Sequence, residues 1–352
     1  MDAAIGHLDP PASLARQPFV AADIGGTHAR VALVQLAPDI DRGLAVLSYR
    51  KFACKEFPSL SALLQAFLAN DVRVPVRHCV LACAGQVMGD EILHDNLAWP
   101  IRLSQLRSAL AFDDVAALND FEAFAYALDG PLVRDARLLC GPDVREPGPV
   151  LVIGPGTGLG AAVHLPGPAG GSVLTTEAGQ MDFAPHTIRE REILAWIAPS
   201  GGYVAYEHIT SGPGLLNLYT TLCGLRGIAA RLATPEAVTA AALIAQDAQA
   251  TEAMEIFCAT LGSFAGSLAM TFMPIGGIYL GGGFLHSIFP LLERSAFVER
   301  FLHGRSVRSF LLRVPVRVME HGRHGLLGAA NWYLRRAAES TPRLATNFGF
   351  AG

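Results

Sequence analysis

Phe19-Val20-Ala21-Ala22-Asp23-Ile24-Gly25-Gly26-Thr27-His28-Ala29-Arg30-Val31-Ala32-Leu33-Val34 is the stretch that sets the architecture. Phe19 to Ile24 reads as a buried strand with an acid, Asp23, near its end. Arg30 to Val34 reads as a second strand, and the glycines between close a hairpin. The same plan returns later: Val150 to Ile153, then Gly154-Pro155-Gly156-Thr157-Gly158-Leu159-Gly160, then Ala161 to His164. Two units of strand, glycine turn with a Thr, and strand predict a duplicated module whose turns face each other across a cleft. Glycines in such turns can serve only to supply positive φ. The functional alternative is that backbone N–H groups unobstructed by Cβ cradle a phosphate, with Thr27 adding a hydroxyl. Asp23 at the strand end would then suit a hydrated Mg²⁺. A dinucleotide fingerprint is the rival for the second turn. Gly156, Gly158 and Ala161 fit its looser form, but that form needs a helix to follow, and here a strand follows.

Working outward, Pro58 to Ala69 has the spacing of an amphipathic helix, and Cys79 to Ala84 that of a buried strand. Asp95 to Pro100 is a polar loop carrying Trp99, which is either a sugar-stacking face or a loop anchor. Ser104 to Ala111 reads as helix. The apolar run Val115 to Leu118 ends at Asn119-Asp120, and Phe121, Phe124, Ala125 and Leu128 then mark a helix face. A carboxylate at a strand-to-helix corner stands where open α/β sheets bind ligands. Asn119 and Glu122 have the spacing of a capping box, which would leave Asp120 for chemistry. The plain alternative makes Asp120 itself the helix cap.

After a polar linker over residues 141–149 and the second hairpin, Thr175 to Pro185 reads as a polar loop and Arg189 to Ile197 as a helix. Gly212-Pro213-Gly214 reads as a break before a helix from Leu215. Pro235 to Gln246 and residues 252–272 are helical. Ile256 to Met273 carries no charge and is long enough to span a bilayer. Its Gly262, Ser263, Gly266 and Ser267 mark it instead as a helix buried against a sheet. Gly277 to Leu280 is a buried strand running into Gly281-Gly282-Gly283, where a flat ligand could approach the backbone closely. Val314 to Val318 is a strand, and a last helix begins near Gly325. Alternating strands and helices of this kind give an α/β protein.

The chain has 352 residues, 51% hydrophobic and 16% charged, enough for about two domains. A net charge of −4 provides no global field for nucleic acid or an anionic membrane, so neither is an expected partner. Lys51 and Lys55 are the only lysines and neither follows a glycine loop, which excludes a Walker P-loop. Six cysteines without a C-x-x-C pair read as buried hydrophobes of a reducing compartment, the cytoplasm. The N-terminus has no apolar core of a secretory signal.

Seven segments, in order, carry a resemblance: ADIGGTHAR (22–30), ALNDFEAFA (117–125), GPGTGLG (154–160), EAGQMDFAP (177–185), YEHITSGPGLLNLY (206–219), YLGGGF (279–284) and HGLLGAA (324–330). Together they resemble bacterial ATP-dependent glucokinases of the non-ROK type, within the hexokinase and actin-like ATPase superfamily. The resemblance implies a two-domain actin-like (ribonuclease H-like) α/β fold with a cleft between the domains. A tail over 1–17 would precede a small domain, 18–130, rejoined by the helix 323–338. A large domain, 131–322, and a tail, 339–352, complete the expectation.

The resemblance further implies ATP, Mg²⁺ and D-glucose as ligands, and a homodimer. Ala22, Asp23, Ile24, Gly25, Gly26 and Thr27 would form the first phosphate loop, with Asp23 holding Mg²⁺ through water. Gly156, Thr157 and Gly158 would form the second, and Gly281 and Gly282 would lie near adenosine. Asp120 would be the base on the sugar 6-hydroxyl, with Asn96, Asn119, Glu177 and Glu207 holding the other hydroxyls. Gln180 stands where the family usually has a sugar-binding His, and His28 where it usually has Asn. The alternatives are a kinase for a related hexose, or a sugar- or nucleotide-binding regulator of the same fold with little or no turnover.

Overall fold

The structure, a computed structural model, describes residues 17–37, 43–94, 97–129, 136–167, 171–319 and 322–339. Asn96 and both terminal segments lie outside the described residues. The described chain divides into two compact units, one formed by residues 17–129 and 323–339, the other by 136–167 and 171–319.

The first unit is built on β1 (Phe19–Ile24), β2 (His28–Leu36), β3 (Leu44–Ala53), β4 (His78–Cys83), three short strands β5 (Gln86–Met88), β6 (Glu91–Leu93) and β7 (Ile101–Arg102), and β8 (Asp114–Asn119). The main sheet has the order β3-β2-β1-β4-β8. The hairpin partners are antiparallel, while β1, β4 and β8 run parallel. Side chains of β1 alternate between two cores, as pleating requires. Val20, Ala22 and Ile24 pack with Leu63, Leu64 and Phe67 of the helix Leu60–Asp71. Phe19 and Ala21 pack with Leu326, Ala329, Ala330 and Tyr333 of the helix His324–Glu339. Both faces of the sheet are therefore covered, which explains why its central strands read as unbroken apolar runs. Strands β5, β6 and β7 form a separate small sheet.

The second unit carries β9 (Arg137–Cys140), β10 (Val150–Pro155), β11 (Leu159–Leu165), β12 (Ser172–Thr176), β13 (Gly277–Leu280) and β14 (Val316–Val318) in the order β12-β11-β10-β13-β14-β9. Its first five strands repeat the order and the parallel and antiparallel senses of the first sheet. The duplication read from the two hairpins thus extends to five strands in each unit.

Three expectations are corrected here. Gly212-Pro213-Gly214 starts a helix rather than breaking one: Gly212–Leu225 is continuous, with Pro in the first turn and Ser211 as its cap. Ser211 Oγ accepts from Gly214 N at 3.0 Å, and Pro gives up no hydrogen bond at a position whose N–H has no helical partner. The apolar helix Ala248–Phe272 is mostly buried inside this unit. Its small-residue stripe meets a helix, not a sheet, for a Cβ at Gly262 or Gly266 would strike the carbonyls of Phe297 and Phe301. The segment read as a polar loop from Thr175 begins as the edge strand β12, pairing Thr175 with Ala162 and Thr176 with Ala161.

Candidate active site

In the first unit the register aligns Ile24 with Cys83 and Cys83 with Asn119, so β1, β4 and β8 end together. The turn Gly25-Gly26-Thr27 leaves one strand end and Asn119-Asp120 the other. The turn is tied down: Gly25 N donates to His28 O at 3.0 Å, and Cys54 N donates to Thr27 O at 2.9 Å. Gly25 does not adopt positive φ, so positive φ is not what glycine supplies at this position.

Asn119 caps the helix Asp120–Tyr126, its Oδ1 accepting from Phe121 N at 2.9 Å and Glu122 N at 3.3 Å. Its Nδ2 donates to Gly85 O at 3.1 Å, which fixes the amide orientation. Asp120 is therefore not the cap. It occupies the first helical position, where its Oδ1 also accepts from Phe121 N at 3.0 Å. Burial raises the Glu122 carboxyl, and the Asn119 backbone N–H draws it back, as the capping-box spacing implies.

Asp23 is about a fifth exposed and pairs with Arg30 at 3.3 Å. Burial raises its carboxyl above the usual range and Arg30 partly offsets this. Gly325, in the first turn of the helix His324–Glu339, lies against it, for a Cβ there would be 3.1 Å from Asp23 Cγ. The Cys83 thiol is pushed well above its ordinary value by burial, then by Asp120 and Asp23. Both carboxylates thus act on the same strand end. Trp99 serves as an anchor, donating through Nε1 to Phe57 O at 3.0 Å and packing on the first core.

In the second unit the strands β10 and β11 run further than expected and leave only Gly156-Thr157-Gly158 as the turn. Gly156 N donates to Gly158 O at 2.7 Å, and Gly156 faces open space. Gly281 N donates to Ile153 O at 2.8 Å, which sets the third glycine run beside this turn. A Cβ at Gly282, whose φ is +152°, would lie 2.4 Å from Pro155 O, so glycine is required there for close approach.

Glu177 and Gln180 belong to one short helical turn, and Glu207 to another spanning Tyr206–His208. The two segments are stitched together: Phe183 N donates to Val204 O at 2.7 Å and Tyr206 N to Met181 O at 2.9 Å. Glu177 and Gln180 are exposed and Glu207 is half-buried, its Oε2 accepting from Leu159 N at 2.8 Å. Tyr203 and Ser211 were not singled out from sequence. The Tyr203 hydroxyl donates to the carbonyl of Gln180 and, at 3.2 Å, to its side-chain Oε1. A Ser before Gly-Pro carries the signal of a helix cap, whereas an exposed Tyr in a loop carries none.

The glucokinase family model matches residues 20–336. The chain belongs to the glucokinase family. It is 42% identical over 321 residues to a glucokinase-like protein of Xylella fastidiosa strain 9a5c, covering 91% of this chain and 96% of that one. A glucokinase of Marinobacter nauticus is 37% identical over 311 residues, covering 88% and 94%. Among solved structures, a glucokinase from an Antarctic psychrotroph superposes with a TM-score of 0.75 at 29% identity, covering 90% of this chain and 98% of that one. A ROK-family glucokinase from Streptomyces griseus, solved with glucose and AMPPNP, shares the fold with a TM-score of 0.57 at 21% identity, covering 90% and 99%. The chain is a sugar kinase with an actin-like ATPase fold.

Proposed function

We propose that the chain transfers the γ-phosphate of ATP to the 6-hydroxyl of D-glucose, with Asp120 as the general base. The observation that carries this reading is the position of Asp120. It stands just past the end of the parallel edge strand β8, released from capping by Asn119, at the same end of the sheet as Asp23 and the first glycine turn. Phosphoryl transfer asks mainly for positioning and for neutralisation of phosphate charge. The amides of the Gly25-Gly26-Thr27 and Gly156-Thr157-Gly158 turns suit phosphate oxygens, whereas Ala22 and Ile24, flanking Asp23, are buried within β1 and paired on both sides, so they support the loop without facing a phosphate. Gly281 and Gly282 suit the adenosine end. Asn119, Glu177, Gln180 and Glu207 take the sugar hydroxyls, the two Glu as acceptors and Gln180 as donor. Asn96 keeps the sugar-binding role that the resemblance gives it. Asp120 receives the proton of the attacking hydroxyl.

Among the described residues no three His, Cys, Asp or Glu side chains gather as a metal site. A Mg²⁺ bound mainly by nucleotide phosphates needs only one or two carboxylates. Asp23, a hard donor whose cationic partner stands at 3.3 Å, fits that need. Bound there, the ion neutralises phosphate charge.

The test is a coupled assay with ATP and a panel of hexoses. Asp120→Asn is expected to lower kcat on glucose by about 10²- to 10⁴-fold, the usual worth of a general base, with glucose binding retained. A variant with near-normal kcat removes Asp120 from this role. Preferred phosphorylation of another hexose by the intact protein replaces glucose, and sugar binding without turnover replaces the kinase reading by the regulatory one.

A further inference from the structure

The turn Gly156-Thr157-Gly158 is held from both sides by one neighbouring segment. Glu207 Oε2 accepts from Leu159 N at 2.8 Å on one side. Gly212 N donates to Gly156 O at 2.8 Å on the other. The contact with Glu207 is close, for a Cβ at Gly158 would lie 2.4 Å from Oε2 and 3.1 Å from Cδ. The segment is itself rigid. Ser211 Oγ donates to Glu207 O at 2.7 Å and accepts from Gly214 N at 3.0 Å. Gly214 packs on Ile209 and on the Glu207 carbonyl, where a Cβ would fall within 3 Å of backbone atoms. Glu207 therefore fixes the glycine turn through one carboxylate oxygen and retains the other.

We infer that Glu207 is a positioning residue for the nucleotide as well as a sugar ligand, so that sugar occupancy and phosphate-turn geometry are coupled through one side chain. The inference rests on the sugar and ATP roles proposed above. A sugar hydroxyl on Oε1 orients the carboxylate, which keeps Oε2 on the Leu159 amide and the turn in shape to receive phosphate oxygens. Coupling of this kind is reciprocal, so nucleotide in the turn would tighten sugar binding by the same factor.

Two substitutions separate the roles. Glu207→Gln keeps an acceptor for Leu159 N–H but replaces the carboxylate that reads sugar hydroxyls. Glu207→Ala removes both. The probes are the Mg²⁺ complex of AMPPNP, titrated calorimetrically without sugar, and hydrogen exchange at the Leu159 amide in the free protein. Glu207→Ala is expected to weaken AMPPNP about tenfold, the scale of one charge-assisted hydrogen bond, and to speed Leu159 exchange at least as much. Glu207→Gln is expected to hold both within about twofold of wild type while raising the glucose KM about tenfold, the same scale. Unchanged Leu159 exchange or unchanged AMPPNP affinity in Glu207→Ala overturns the inference. A wild type that binds glucose but no AMPPNP instead overturns the ATP reading beneath it, and the coupling with it.

Discussion

Gln180 is an exposed amide whose orientation is set by one neighbour. The Tyr203 hydroxyl reaches both its carbonyl and its Oε1, and the Tyr203 ring stands edge-on to His208 at 6.1 Å. His208 is itself pinned, its Nδ1 accepting from Ala205 N at 3.2 Å. With Oε1 engaged, Gln180 presents its NH₂, the donor that a His at this position would supply by other means. Tyr203→Phe is expected to raise the sugar KM about three- to tenfold with kcat changed less than twofold, on the scale of about 1 kcal/mol for a hydrogen bond. An unchanged KM in the hexose assay would sink the idea. The sequence singles out Gln180 only by comparison with the family; Tyr203 is invisible because its contact joins two loops through a Cβ-distant hydroxyl. Asn119 and Asp120 were legible because an apolar run, a cap residue and a helical period meet there.

At the scale of elements, one buried ion pair fixes the helix Ile188–Ile197. Glu190 closes the capping box with Thr187 and meets Arg300 at 2.6 and 3.1 Å, while Arg300 Nε donates to Ser263 Oγ at 2.8 Å. Burial alone would raise the Glu190 carboxyl, but the Arg300 guanidinium and the N–H groups of His186 and Thr187 outweigh it and hold it below the ordinary value. A depressed folded value stabilises the fold above the unfolded Glu pKa and loses that contribution as pH falls through the folded value. Glu190→Gln is expected to cost about 3 kcal/mol at pH 7, because it leaves Arg300 buried without its anion. Thermal melts of wild type and variant should converge as the pH drops through the depressed folded value of Glu190, below the ordinary Glu range; a constant gap would refute the assignment. Gly328→Ala tests a different contact. Its Cβ would lie 1.6 Å from Ala123 O, so the two helices must separate. Denaturant unfolding should show a loss of at least about 3 kcal/mol, the upper range of overpacking, and a near-neutral result would mean that this helix pair yields easily. The central strands were legible because burial on both faces makes them continuous apolar runs. Edge strands β3 and β12 were not: Arg50, Lys51 and Thr175 interrupt them with exposed polar residues, and pairing on one side suffices to hold them.

For the whole molecule, the repeated strand order has a local counterpart. Gly85 follows β4 with φ +155°, and Gly282 follows β13 with φ +152°, at the same place in each sheet. Each half thus ends its second parallel strand with a residue that only glycine can fill comfortably. The first unit, however, is completed by the end of the chain. Tyr333 donates to Asp114 Oδ2 at 2.8 Å and contacts His78 Nδ1 at 2.9 Å, joining the last helix to the starts of β8 and β4. Ending the chain at Gly322 is expected to release the amides of β1, β4 and β8 to rapid hydrogen exchange while β10 and β13 stay protected. Unaltered protection of β4 would show that the helix is dispensable.

This arrangement bears on biosynthesis. Phe19, Ala21, Val80 and Ala116 leave the ribosome long before Leu326, Ala329 and Ala330, which cover them. Domains generally fold as units during synthesis, yet here the earlier-made half waits for the later one. During that interval a sheet face stands uncovered, open to chaperones or to a neighbouring nascent chain, and every prematurely terminated product carries that face permanently.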